Sequence, residues 1–132
     1  MREIIIKGVI GQDFTVVDLL AQIRADKDEK DFTFIIDSVG GYVDEGFRIA
    51  AVIESLGATT VARKVMSIAN IIYFAGAKRI AEPNAQFMLH NAWGEISGNA
   101  SQLEYAATQL RNEDAKMRAY ISERTGLPDA QL

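Results

Sequence analysis

Apolar positions along the chain follow two periods. Glu3 to Lys7 is a β-branched run bounded by Gly8 and Gly11, the pattern of a strand. Asp13 to Ala25 sets Phe14, Val16, Val17, Leu19, Leu20 and Ile23 at helical spacing, with Asp13 or Thr15 as the cap. Phe32 to Asp37 has the length and continuity of a buried parallel strand, and Ser38-Val39-Gly40-Gly41 reads as the turn after it. Val43 to Leu56 predicts a second helix ended by Gly57, Thr59 to Lys64 a third strand, and Ser67 to Ala75 a buried helix. Lys78 to Ala81 and Gln86 to Leu89 predict two short strands around a Glu82-Pro83-Asn84 turn. This alternation implies right-handed parallel crossovers in an α/β layer fold.

The last third reads differently. Asn91 to Gly98, with Trp93 and two glycines, predicts a loop. From Asn99 to Thr125 there is neither glycine nor proline, and Leu103, Ala106, Ala107, Leu110, Met117, Tyr120 and Ile121 recur near helical spacing. Such a helix is about 40 Å long at ~1.5 Å per residue, longer than so small a body can cover. It must project or take a partner subunit. Gly126, Leu127 and Pro128 end it.

Composition narrows the field. With 132 residues, 48% of them hydrophobic, and two prolines, residues 1–132 read as one globular domain with a single core. A net charge of −4 without a basic block disfavours nucleic acid as a partner. The mixed charges of Asp26 to Asp31 read as a solvated turn. The absence of cysteine excludes disulfides, thiolate metal sites and a cysteine nucleophile, and makes the cytoplasm the default compartment. Ile68 to Ala77, interrupted by Asn70, is about half of what a bilayer requires, so no membrane partner is expected, and the amino terminus lacks a signal-peptide build. One histidine and scattered acids give no metal ligand set, and Gly8, Gly11, Gly40 and Gly41 do not form a dinucleotide fingerprint.

The chemistry centres on Arg63 to His90. A serine hydroxyl is a poor nucleophile unless a base takes its proton, so Ser67 at one junction and the only histidine, His90, after a neighbouring strand form a pairing to test. Each residue also has a plainer reading, Ser67 as a helix N-cap and His90 as a structural side chain. Acyl transfer also needs two donors aimed at a developing oxyanion. Gly40-Gly41 after a buried strand offers free backbone N–H groups, and the N–H of Ile68 offers a second.

Three features occur in a telling order: Asp37-Ser38-Val39-Gly40-Gly41-Tyr42-Val43, then Met66-Ser67 with Ala75-Gly76 following, then Pro83-Asn84-Ala85 leading into Met88-Leu89-His90-Asn91. Together they resemble the proteolytic subunit of the Clp protease. The His90-Asn91-Ala92-Trp93-Gly94 continuation is similar to the Clp-like head maturation proteases of bacteriophages. The resemblance spans nearly the whole chain, including the end of the long helix at Glu123-Arg124-Thr125-Gly126. It implies a crotonase-like α/β fold with a protruding handle helix, and a serine endopeptidase working in a homo-oligomeric ring. Ser67 would be the nucleophile and His90 the general base and then acid. Gly40 and Ile68 would supply the oxyanion N–H groups, and Gly41, Tyr42 and Val43 would line the peptide by β-addition. It implies peptide or protein substrates, an AAA+ unfoldase or phage capsid proteins as partners, and no cofactor or metal.

Departures from the family pattern set further expectations. Arg63 and Met66 stand where the family has a glycine and an alanine, narrowing the approach to the serine, and Val39 replaces a proline. The family's orienting acid lies farther beyond the histidine than this chain runs, so no acid carries over as third triad member. The chain reads as lacking the family's C-terminal part, with weak or absent peptidase activity expected in this form. The alternatives are a non-catalytic assembly or scaffold protein of the same fold, and a crotonase-like acyl-thioester enzyme, which coenzyme A would retain.

Overall fold

The computed structural model describes residues 1–128. Eight elements alternate strictly: β1 (Arg2–Ile10), α1 (Val16–Ala25), β2 (Phe32–Gly41), α2 (Val43–Leu56), β3 (Thr59–Met66), α3 (Ala69–Phe74), β4 (Lys78–Met88) and α4 (Ala100–Thr125). The strands form one sheet in the order β1-β2-β3-β4, with every pair parallel. The chain divides into two compact units, Met1–Leu89 and a second that begins at His90.

The first unit holds the sheet and α1 to α3. Alternation buries Ile4, Ile6 and Ile10 of β1, while Ile5 between them stays 46% exposed. The central strand β2 buries Phe34, Ile35 and Ile36 in succession, as a strand covered on both faces does. Ile49 and Ile53 of α2, Leu19 of α1, and Ile71 and Ile72 of α3 complete the core. Fully burying such a side chain is worth about 1.5–3 kcal/mol, so this apolar body fixes where the strand ends lie.

Local chemistry sets the element ends. Helix α1 starts at Val16 because Thr15 accepts from the Asp18 N–H (3.2 Å) while its own N–H donates to the Asp18 carboxylate (2.9 Å), a reciprocal capping box. Asp13, the other expected cap, accepts from the Val9 N–H instead (2.8 Å). Helix α2 runs as the periodicity predicts and stops at Gly57, whose φ of 59° suits a residue without Cβ.

Two strands run through stretches expected to be turns. The Ser38-Val39-Gly40-Gly41 stretch is the end of β2 rather than a turn, with Gly40 and Gly41 registered on Val9 and Ile10. Where β1 passes from Lys7 to Val9, β2 passes from Asp37 to Gly40, so the irregularity is absorbed as a bulge and pairing resumes beyond it. Lys78 to Met88 is likewise one strand: pairing passes from Ala62↔Ala81 to Lys64↔Gln86, so the expected turn is a bulge within β4. Arg63, opposite it, grips Glu82 through both carboxylate oxygens (2.9 and 3.2 Å).

The second unit contains α4 and the irregular segment before it. Asn99 and Gln102 form a capping box, and Gly126 (φ 76°) ends the helix after 26 residues, about 39 Å at ~1.5 Å per residue. The Ala92 N–H donates to the Asp114 carboxylate (2.5 Å), fixing the irregular segment to the helix. Among the described residues, no helix is long and apolar enough to cross a membrane.

Candidate active site

Within the first unit, the carboxyl ends of β2 and β3 carry Gly40 and the Ser67 junction, and Met88 ends β4 beside that junction. Strand β3 ends at Met66, and Ser67 then takes φ 54°, the one positive φ outside glycine among the described residues. A non-glycine residue in that region costs of order 1–3 kcal/mol and persists only when its surroundings hold it. Here they do. The Ser67 N–H donates to the Met88 carbonyl (2.7 Å), and the Ser67 carbonyl accepts from the Asn70 backbone N–H (3.0 Å) and side-chain Nδ2 (2.9 Å). Ser67 is therefore not the cap of α3; that position falls to Ile68, with no side-chain capping bond.

Gly40 backs onto this serine. A Cβ placed there would lie 2.8 Å from Ser67 Cβ, 2.9 Å from the Met66 carbonyl oxygen and 3.4 Å from Ser67 Oγ. With φ at 93° as well, only glycine fits both the conformation and the space. Gly41 is constrained by another neighbour, because a Cβ there would sit 2.2 Å from the Ile10 carbonyl oxygen.

The expected pair of free N–H groups is only half present. Buried Ser38 donates to the Gly8 carbonyl (2.7 Å) and accepts from the Gly40 N–H (3.0 Å), so the Gly40 donor is already engaged. The Ile68 N–H makes no hydrogen bond to another described residue. Its side chain is fully buried against Gly46 of α2, where a Cβ would lie 2.3 Å from Ile68 Cγ1.

Beyond Ser38↔Val65, β2 loses its partner on the β3 side, while its pairing with β1 continues to Gly41↔Ile10. Among the described strands, Val39 to Gly41 therefore have an unpaired edge on that side. Val39 and Tyr42 are 50% and 58% exposed beside it, and Val43 is half-buried at the start of α2.

His90 opens the second unit, two residues after Met88, which registers on Met66. Its Nδ1 lies 2.8 Å from the Asn91 carbonyl oxygen. A carbonyl can only accept, so this contact puts the proton on Nδ1 and leaves Nε2 as the basic nitrogen.

Of the departures from the family pattern, Arg63 is engaged away from the serine's polar contacts. Arg63 is committed to Glu82, whose carboxyl is held below its usual range by the Arg63 hydrogen bonds, while the guanidinium is held above its own. Burial raises the Tyr73 phenol, opposed by the charge of Arg79. No group of three or more His, Cys, Asp or Glu residues among those described is arranged to hold a metal ion.

Sequence reasoning missed Ser38 as the partner of Gly40 and Asn70 as the partner of Ser67. Asn70 left a trace, a polar residue breaking the apolar run of Ile68 to Ala77. Ser38 left none.

A parallel four-stranded sheet with a strained serine at a strand-to-helix junction, a glycine pressed against it and, among the described residues, an unpartnered N–H after it belongs to an α/β protein. The family model described as Clp protease matches residues 1–132, and the chain belongs to the Clp protease family. It is similar to the ClpP1 N165D mutant from Listeria monocytogenes, with 26% identity and a TM-score of 0.83 over 98% of this chain and 75% of that one. Family and fold together support a protease subunit.

Proposed function

We propose that this chain is a serine endopeptidase subunit that works within a homo-oligomeric ring. Ser67 Oγ attacks the scissile carbonyl while His90 Nε2 takes its proton, and the imidazolium then returns that proton to the leaving amine. The oxyanion is held by the N–H groups of Ile68 and Gly40. The Ile68 N–H has no partner to give up among the described residues, whereas Gly40 must exchange its bond to Ser38 for one to the oxyanion. The observation that carries the reading is the packing of Gly40 onto Ser67, with the Ser67 hydroxyl oxygen 3.4 Å from where a Cβ would stand. A larger residue there would fill the space a substrate carbonyl needs.

The unpaired edge of Val39 to Gly41, with Tyr42 and Val43 beside it, suits an extended peptide added as a strand. The Asn91 carbonyl supports the tautomer that makes Nε2 the base. The mostly exposed helix α4, with only Met117 and Ile121 buried, suits a role in meeting other subunits. Protein substrates, delivered by an AAA+ unfoldase or drawn from phage capsid proteins, and a cytoplasmic setting complete the proposal; it invokes no cofactor.

The test is hydrolysis of a fluorogenic peptide by the wild type, Ser67→Ala and His90→Ala. Both substitutions are expected to reduce turnover to background, and cleavage unaffected by Ser67→Ala would sink the reading. The engaged Gly40 N–H favours one alternative, a non-catalytic assembly protein of the same fold. That reading predicts ring formation with no Ser67-dependent cleavage.

A further inference from the structure

We infer that Asn70 is a positioning residue for the nucleophile, clamping Ser67 in its left-handed conformation and tying it to the end of β4. The inference rests on the reading of Ser67 as nucleophile. Asn70 is only 4% exposed, in a helix whose other buried residues are apolar or aromatic. Burying an amide there is costly unless its hydrogen bonds are made. Its Nδ2 donates to two backbone carbonyls, those of Ser67 and Met88, each at 2.9 Å. Carbonyls only accept, so the amide nitrogen, not the oxygen, must face them.

These bonds converge on the serine. The Met88 carbonyl receives both the Ser67 N–H and Asn70 Nδ2, and the Ser67 carbonyl receives both donors of Asn70. The peptide groups on either side of the Ser67 Cα are therefore anchored, one to β4 and one to α3. A hydroxyl carried on a fixed backbone attacks from a fixed position, and a displacement near 1 Å costs roughly 10²-fold in rate. Asn70 touches neither the Ser67 hydroxyl nor any substrate in this account. It acts through the backbone it holds.

The deciding variants are Asn70→Asp and Asn70→Ser. The aspartate has the same shape but directs acceptor oxygens at both carbonyls. The serine is shorter and can still donate to the Ser67 carbonyl one turn back, but not across to Met88. Thr60→Val serves as the control: Thr60 Oγ1 donates to the Tyr73 carbonyl of the same helix (2.7 Å), so its loss weakens α3 without touching Ser67 or Met88.

Two readouts are needed: the rate of Ser67 modification by a fluorophosphonate, and the crystallographic φ of residue 67. Asn70→Asp is expected to slow modification about 10- to 100-fold and to move Ser67 out of the positive-φ region, with Asn70→Ser intermediate. Thr60→Val is expected to keep both near wild type at an equal loss of Tm. If Asn70→Asp does not fold, Asn70→Ser decides. Retention of the wild-type φ and rate in the folded variant overturns the clamp. If wild-type Ser67 itself is never modified, the peptidase reading fails, and the φ of the variants alone decides whether Asn70 holds the serine.

Discussion

The ends of β2 and β3 lie side by side and both enter positive φ, yet they reach it by opposite means. At Gly40 (φ 93°) the conformation carries no steric penalty, and close packing against Ser67 makes glycine obligatory. At Ser67 (φ 54°) a side chain is retained, and the cost is offset by the hydrogen bond its N–H donates to the Met88 carbonyl and by those its carbonyl accepts from Asn70. One end is permissive and the other is restrained. Where the chain needs space it omits a side chain, and where it needs a hydroxyl it accepts strain and supplies a clamp.

The contrast is broken most severely at the permissive end. Gly40→Ala combines an unfavourable φ with a Cβ 2.8 Å from Ser67 Cβ, and should destabilise the fold by about 2–4 kcal/mol. Urea unfolding measures this, and a loss below half a kcal/mol would show that the junction yields. Next comes Ser38→Ala, which strips a hydrogen bond from both the Gly8 carbonyl and the Gly40 N–H. The expected cost is roughly 1–3 kcal/mol. If Ser38 also withholds the Gly40 donor from the oxyanion, this variant loses less turnover than stability.

At the restrained end the sign reverses. Ser67→Gly removes the strain of the serine at φ 54°, and should raise stability by about 0.5–1 kcal/mol while eliminating modification by a fluorophosphonate. A destabilised glycine variant would mean that the serine is not strained there. The smallest effect falls on the Arg63–Glu82 pair across the β4 bulge, which is exposed. Because Arg63 lowers the Glu82 pKa in the folded state, the pair's contribution is full above the ordinary glutamate range. It disappears as pH falls through the lowered value. The small Tm difference between wild type and Glu82→Gln should therefore be present at neutral pH and close in acid.

The same contrast explains what was legible in the sequence. Helix α2 was readable to the residue, because Val43 opens an apolar periodicity and Gly57 closes it. The alternation of strand and helix, and the long α4, were equally plain. The end of β2 was misread as a turn because glycines signal irregular backbone, and only the neighbouring strand decides whether pairing resumes beyond it. Pro83 led to the same error in β4, where an edge position tolerates a missing N–H and a bulge absorbs the extra residues.

At the site, Gly40, Gly41, Ser67 and Ile68 could be picked out as residue types suited to acyl transfer, and the structure brings Gly40 and Ser67 into contact. What could not be read was the hydrogen-bond wiring. Ser38 reaches Gly8 across 30 positions and Asn70 reaches Met88 across 18, and no local pattern encodes either contact. The left-handed serine is hidden for the same reason. Its conformation is imposed by partners that adjoin it only in the folded chain.

The central claim is that Ser67 is an activated nucleophile, and covalent capture tests it most directly. Incubation with a fluorophosphonate followed by tandem mass spectrometry should place one phosphonyl adduct on Ser67, lost in both Ser67→Ala and His90→Ala. An adduct on another serine, or a yield at Ser67 no lower in His90→Ala, would contradict the account.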